Sequence, residues 1–143
     1  MSSVSSNTDR SIATGEFSVK IGAPAVIQLP TDASPIGRHT IEKEYQGHLQ
    51  GSAFGEMLSA GQPQAGEAAY VAIESFFGTL DGRTGGFALS HSGRMHAGGE
   101  TLHISVVPGS GTGELAGIQG ELAIQRESGK HRYTFSYRIN CSE

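Results

Sequence analysis

A carboxylate beside an imidazole is the simplest acid–base pair a protein can assemble, and Glu74 and His91 are the residues best placed to form one. Glu74 interrupts a stretch, Ala68 to Phe77, that is otherwise nearly all apolar. A carboxylate buried in such a stretch costs several kcal/mol unless it is paired or protonated. The partner follows from the turn that ends the stretch. Leu80-Asp81-Gly82-Arg83 is a strong hairpin signal, because Asp-Gly suits the positive φ angles of a type I′ turn. With Asp81 and Gly82 as the turn, Gly78 faces Gly85, Phe76 faces Phe87, Glu74 faces Leu89 and Ala72 faces His91. Glu74 and His91 then lie diagonally on one face, among Tyr70, Phe76, Phe87 and Leu89. If that face lines a lumen, burial raises the Glu pKa, a neighbouring charged imidazole lowers it, and the balance sets which group acts as acid or base. Glu74 and His91 are the catalytic candidates. The plainer reading is a structural pair that satisfies itself or holds a trapped water.

Lys43, Tyr45 and Glu56 form a second cluster. Ile41, Lys43, Tyr45, Gly47 and Leu49 share one face, and Gln50-Gly51 reads as a tight turn. Leu49 then opposes Ser52, Gly47 opposes Phe54, Tyr45 opposes Glu56 and Lys43 opposes Leu58, which puts Lys43, Tyr45, Phe54 and Glu56 on one surface. A Lys–Glu pair there would close a barrel mouth or anchor a ligand carboxylate; as an exposed ion pair it is worth at most ~1 kcal/mol. The ligand-binding candidates are Tyr70, Phe76, Phe87, Leu89, Tyr45, Glu56 and Lys43.

Other groupings carry less chemistry. His91, His96 and His103 with Glu100 span a strand end and a loop and match no metal-ligand spacing, so no metal site is expected. His39, His48 and His131 read as ordinary surface or strand-end residues. Gly109-Ser110-Gly111-Thr112-Gly113 lacks the Lys of a phosphate loop and a following helix, and reads as a bulged turn where backbones approach closely. Cys141, the single cysteine, excludes a disulfide framework and a Cys-rich zinc site.

The elements that must hold these residues are strands. The chain has 143 residues, the size of one domain, with 21 Gly and no collagen-like period, which favours tight turns over long helices. A formal charge of −4 argues against nucleic acid as a partner. No apolar run is long enough to insert in a membrane, and the polar start lacks the apolar core of a signal peptide, so a cytoplasmic protein is expected. Residues 1–13 are expected to be a flexible segment and 14–143 a single barrel domain.

Two-residue alternation begins at Thr14, with Phe17, Val19 and Ile21 on one side. Gly22 to Gly37 carries three prolines and reads as a connection, with a short edge strand over Val26–Leu29. The hairpin around residue 50 follows, then a loop at Gly61–Gly66, the Ala68–Phe77 strand and its partner Gly85–His91. Ser92 to Gly99 reads as a loop. Thr101–Val107, Glu121–Arg126 and a last strand with Tyr133, Phe135, Tyr137 and Ile139 on one face complete the pattern. About eight short strands without an amphipathic helix of several turns predict an all-β fold, a closed antiparallel barrel wide enough for one small ligand.

Two blocks carry a family resemblance. One runs from Ala69 through Phe76-Phe77-Gly78-Thr79-Leu80-Asp81-Gly82-Arg83 to Ser90-His91-Ser92-Gly93. The other is Val106-Val107-Pro108-Gly109-Ser110-Gly111-Thr112-Gly113-Glu114-Leu115-Ala116-Gly117-Ile118-Gln119-Gly120. Together they resemble a family of small bacterial domains of unknown function, classed with the allene-oxide-cyclase-like barrels. Gly111 to Gly120 is also distantly similar to the Gly-Thr-Gly-x-Phe-x-x-Ala-x-Gly segment of allene oxide cyclases and dirigent proteins, with Leu115 for the Phe and Ile118 for the Ala. The resemblance implies an eight-stranded antiparallel barrel, homo-oligomers built from barrels, and a lumen for apolar molecules. It carries over no active-site motif. The function expected is therefore binding of a small apolar molecule in the lumen. The alternatives are a cofactor-free cyclase or isomerase acting on a polyene, lipid or terpenoid-like substrate, and a structural barrel with a filled core.

Overall fold

The computed structural model describes residues 10–140. The Ser-rich start up to Asp9 and the single cysteine, Cys141, lie outside the described residues. Eight long strands make the barrel: β1 (Ser11–Ile21), β3 (Ile36–Gly47), β4 (Leu49–Gln62), β5 (Glu67–Leu80), β6 (Arg83–His96), β7 (Gly99–Val106), β9 (Ile118–Glu127) and β10 (Lys130–Ile139). Two strands of two residues, β2 (Ala25–Val26) and β8 (Thr112–Gly113), and one 3-10 turn (Pro63–Ala65) complete the described secondary structure. Neighbours run β1-β10-β9-β7-β6-β5-β4-β3, and β3 pairs back to β1, so the sheet closes into an antiparallel eight-stranded barrel. Closure removes the free edges that an open sheet of this length would expose. β1 starts at Ser11 rather than Thr14, because Ser11–Ala13 pair with Tyr137–Phe135 and the Ala13 side chain is buried.

Turn chemistry sets three of the hairpins. Asp81 and Gly82 adopt φ of 49° and 87°, and the β5–β6 register pairs Phe76 with Phe87, Glu74 with Leu89 and Ala72 with His91, as expected. Ala97–Gly98 and Ser128–Gly129 also take positive φ at both positions. The Ala97–Gly98 turn reduces the expected Ser92–Gly99 loop to two residues, and β6 runs on to His96. Gly93 reads locally as a breaker but sits inside the strand, where an added Cβ would lie 2.4 Å from the Tyr70 ring.

The β3–β4 hairpin differs from expectation. Its turn is at Gly47–His48, not Gln50–Gly51, so Tyr45 opposes Gly51, Lys43 opposes Ala53 and Thr40 opposes Glu56. The cause is tertiary. The Tyr133 hydroxyl, arriving from β10, accepts from the Leu49 N–H at 2.9 Å and lies 2.9 Å from the Gln46 carbonyl, pinning the turn where Gly47 takes φ +109°. Phe54 and Glu56 therefore face outward, where Glu56 meets Arg38 at 2.9 Å. The edge strand expected over Val26–Leu29 is only β2, paired with Gly37 and Arg38.

The Gly-rich segment after β7 is a strap rather than a bulge. Ser110 Oγ accepts from the Ala88 N–H at 3.0 Å, Thr112 Oγ1 from the Gly86 N–H at 3.0 Å, and the Glu114 carboxylate from the Thr84 N–H at 2.8 Å. These side chains satisfy the edge of β6 beyond the point where β7 ends. Leu115 from the strap is fully buried with Leu49, Leu80 and Ile118, closing one end of the barrel. Above them Phe76, Phe87, Phe135 and Tyr137 stack with ring centroids 5.1, 5.6 and 5.3 Å apart in turn.

The other end stays open. β7 and β9 share a single pair, Ser105 with Glu121, and separate beyond it. A cavity of about 630 Å³ enters there, walled by Phe17, Val19, Ile41, Met57, Tyr70 and Ile124.

Candidate functional site

The barrel's polar centre lies where packed core gives way to cavity. Glu74 comes from the middle of β5, where the alternation that buries Ala72 and Phe76 also turns its side chain inward, and it is fully buried. His91 comes from β6 on the register set by Asp81–Gly82, and its Nε2 lies 2.7 Å from Glu74 Oε1. A carboxylate oxygen only accepts, so Nε2 carries the hydrogen and donates. Lys43 and Tyr45 arrive from β3, on the far side of β4. Lys43 Nζ donates to the same Oε1 at 2.8 Å, and the Tyr45 hydroxyl donates to Oε2 at 2.6 Å. Lys43 also lies 4.8 Å from the centre of the Phe17 ring, a cation–π contact.

Electrostatics follow from this geometry. Burial alone would raise the Glu74 carboxyl, but the hydrogen bond from His91 and the charge of Lys43 outweigh it and hold the group down to about 2. Glu74 is a carboxylate at neutral pH, with both oxygens engaged. Burial, and then the Glu74 charge, push the Tyr45 hydroxyl well above its ordinary range, so it stays a donor. Burial likewise raises Tyr70. Every side-chain nitrogen and oxygen wholly shut off from solvent among the described residues has a hydrogen-bond partner.

The cavity reaches Lys43 and His91 but not Glu74 or Tyr45. Those two residues form its floor and Glu74 anchors them from below. No hydrogen-bond partner for His91 Nδ1 is found among the described residues, so the lone pair or proton of that atom remains for whatever enters the cavity.

The expected clusters are thus redistributed. Glu74 and His91 meet as expected, and Lys43 and Tyr45 join them instead of Glu56. Tyr70 lines the cavity, whereas Phe76, Phe87 and Leu89 are packed in the closed half. His39 and His131, read from the sequence as ordinary, line the cavity wall, and Arg94 and Arg126 stand at its rim. Phe17, Val19 and Ile21 already marked one lumen face in the sequence; nothing local marked the two histidines. His96 pairs with Glu67 at 2.7 Å on the exposed surface, away from His91. Among the described residues no three His, Cys, Asp or Glu side chains come together as metal ligands.

Fold and site together define a closed antiparallel β-barrel with a half-filled lumen and a buried Lys–Glu–His–Tyr network beneath a cavity. The family model described as protein of unknown function DUF3224 matches residues 13–137, and the chain belongs to that family. It is similar to a crystal structure of a protein with unknown function from the DUF3224 family of Shewanella oneidensis MR-1. The two chains are 41% identical, the match covers 93% of this chain and 99% of that one, and the TM-score is 0.85. No curated protein matches the chain. No helix among the described residues is long and apolar enough to cross a membrane.

Proposed function

We propose that this protein binds a small, largely apolar molecule in the open half of its barrel. The observation that carries the reading is the cavity itself: about 630 Å³, with walls mostly apolar apart from His39, His131 and a charged rim, and with Lys43 and His91 on its floor. Binding pockets of about 300–1,000 Å³ have this make-up, mostly apolar with a few placed polar groups. The likeness of Gly111–Gly120 to allene oxide cyclases and dirigent proteins supports the same reading, as does a lumen left unfilled beside a tightly packed one. A ligand at a hundred times its dissociation constant adds ~2.7 kcal/mol of stability, which is a rise of roughly 9 °C in melting temperature for a domain of this size. A thermal-shift panel of lipids and terpenoids is the test. A flat panel, with a variant meant to fill the cavity (Ala68→Phe) destabilised as if it overpacked a filled core, overturns it.

One observation favours a second reading, a cofactor-free cyclase or isomerase. Glu74 holds His91 by Nε2 and leaves Nδ1 facing the cavity, the way an orienting carboxylate positions a general base. If this reading holds, His91→Gln stops turnover of a bound compound while its thermal shift persists.

A further inference from the structure

We propose that the molecule taken up by the cavity carries a carboxylic acid group, seated inward on Lys43 and His91. This rests on the binding reading above and adds the chemistry of the head group. Lys43 Nζ and His91 Nε2 converge on one oxygen, Glu74 Oε1, at 2.8 and 2.7 Å, so the free sides of both groups lie close together on the cavity floor. Lys43 can only donate, and His91 Nδ1 accepts when the ring is neutral and donates when it is charged. A carboxyl group matches that pair with its two oxygens. One accepts from Lys43; the other either donates to Nδ1 as the acid or accepts from it as the carboxylate. In both forms a single proton lies between ligand and imidazole, the Lys43 and Glu74 charges cancel, and no net charge is buried. An amine would add a cation beside Lys43 and leave Nδ1 with no matched charge.

The wall charges point the same way. Lys43 and Arg126 line the cavity, with Arg94 on the outward face of β6 at its rim, against Glu100 alone among the acidic residues. Arg94 and Arg126 form no ion pair among the described residues. A cationic cavity in a chain of formal charge −4 draws anions inward against the sign of the whole molecule.

The test holds the apolar body fixed and changes the head: octanoic acid, octanamide, 1-octanol and octylamine, each titrated into the intact chain by calorimetry. Octanoic acid is expected to bind at least tenfold more tightly than the alcohol or amide, a difference of ~1.4 kcal/mol. Lys43→Met should erase that preference. In case Lys43→Met folds poorly, nitrogen-15 NMR of the histidines in the unmodified protein gives a second readout, since the His91 Nδ1 resonance should move on adding the acid. Equal binding of acid, amide and alcohol overturns the head-group assignment and leaves the binding reading standing. Binding of none overturns both. An acid preference with no change at His91 places the carboxyl at the rim arginines and also overturns the assignment.

A different observation concerns the outside of the barrel. β5 turns Ala72 and Glu74 inward and leaves Val71, Ile73 and Phe77 53, 57 and 65% exposed, next to Phe54 and Leu58 of β4 at 59 and 44%. These side chains expose on the order of 500 Å² of apolar surface, at the upper end for a monomer. With Ser52, Ser75, Ala88 and Ser90 between them, the wall approaches the roughly 800 Å² that each partner gives to a stable interface. The one charged residue it has on β4 to β6 between these side chains, Glu56, is paired with Arg38, and Glu42 and Glu44 of β3 border it beside Phe54 and Ser52. We infer that this wall packs against the same wall of a second copy of the chain. Sedimentation velocity at tens of micromolar should show twice the 14.9 kDa chain mass, and Ile73→Lys with Phe77→Lys should return it to a monomer with an unchanged circular-dichroism spectrum. A monomeric parent overturns the inference, and a monomer that floats with phospholipid vesicles assigns the wall to a membrane surface instead.

Discussion

At the end of the barrel bearing the Gly47–His48 and Asp81–Gly82 turns, Leu49, Leu80, Leu115 and Ile118 are buried and stacked aromatic rings fill the space above them. At the opposite end, Val19, Met57 and Ile124 line a cavity, and β7 has already parted from β9. The same strands run through both ends. The closed end has a strap that drops a leucine into the lumen and side chains that satisfy the edge of β6. The open end has neither, and Lys43, Glu74 and His91 mark the boundary. The buried charged network sits at the level where packed core gives way to open cavity. Packed core and open cavity are separated along the barrel axis.

Truncating a ring in the closed half should have the largest effect. Phe135→Ala removes a fully buried side chain from the stack, and a loss of about 3–5 kcal/mol is expected in urea unfolding. Met57→Ala on the cavity wall should cost less than about 1 kcal/mol, because that side chain borders open space. Equal losses would break the comparison.

Glu74 tests the boundary. Its carboxyl ordinarily titrates near 4.5 and is held down to about 2, so its pairing stabilises the fold fully above pH 4.5. That stabilisation is lost as pH falls through about 2. Glu74→Gln keeps the volume but leaves Lys43 without its countercharge, and should lower stability at neutral pH by about 3 kcal/mol. The variant should also lose the acid-limb slope over the same window. An unchanged acid limb would mean that Glu74 is not paired in solution.

A smaller effect than at Glu74 is expected at a turn. At Gly82 an added Cβ meets nothing within 4 Å, so Gly82→Val is opposed only by backbone strain at φ +87°. A loss of about 1–2 kcal/mol is expected, without change in ligand response. A variant as stable as the parent would mean that this turn relaxes freely and does not fix the β5–β6 register.

The sequence by itself determined the all-β class, the β5–β6 register, and with it the meeting of Glu74 and His91. Asp81-Gly82 is a local signal strong enough to fix a hairpin, and a period of two then assigns every side chain to a face. Alternation likewise placed Tyr133, Phe135 and Tyr137 inward. Tertiary structure decided the β3–β4 register, because the residue that pins that turn, Tyr133, lies 84 positions from Leu49. That register sent Glu56 outward and left Lys43 and Tyr45 facing Glu74 across an intervening strand. It took the closed barrel to set His39 and His131 beside a cavity and to leave Phe76 and Phe87 in the packed half, since a face assignment says that a side chain points into the lumen but not at what height. Which end of a barrel is filled depends on what the strap, the strand lengths and the parting of β7 from β9 do together, and those are contacts between residues far apart in the chain.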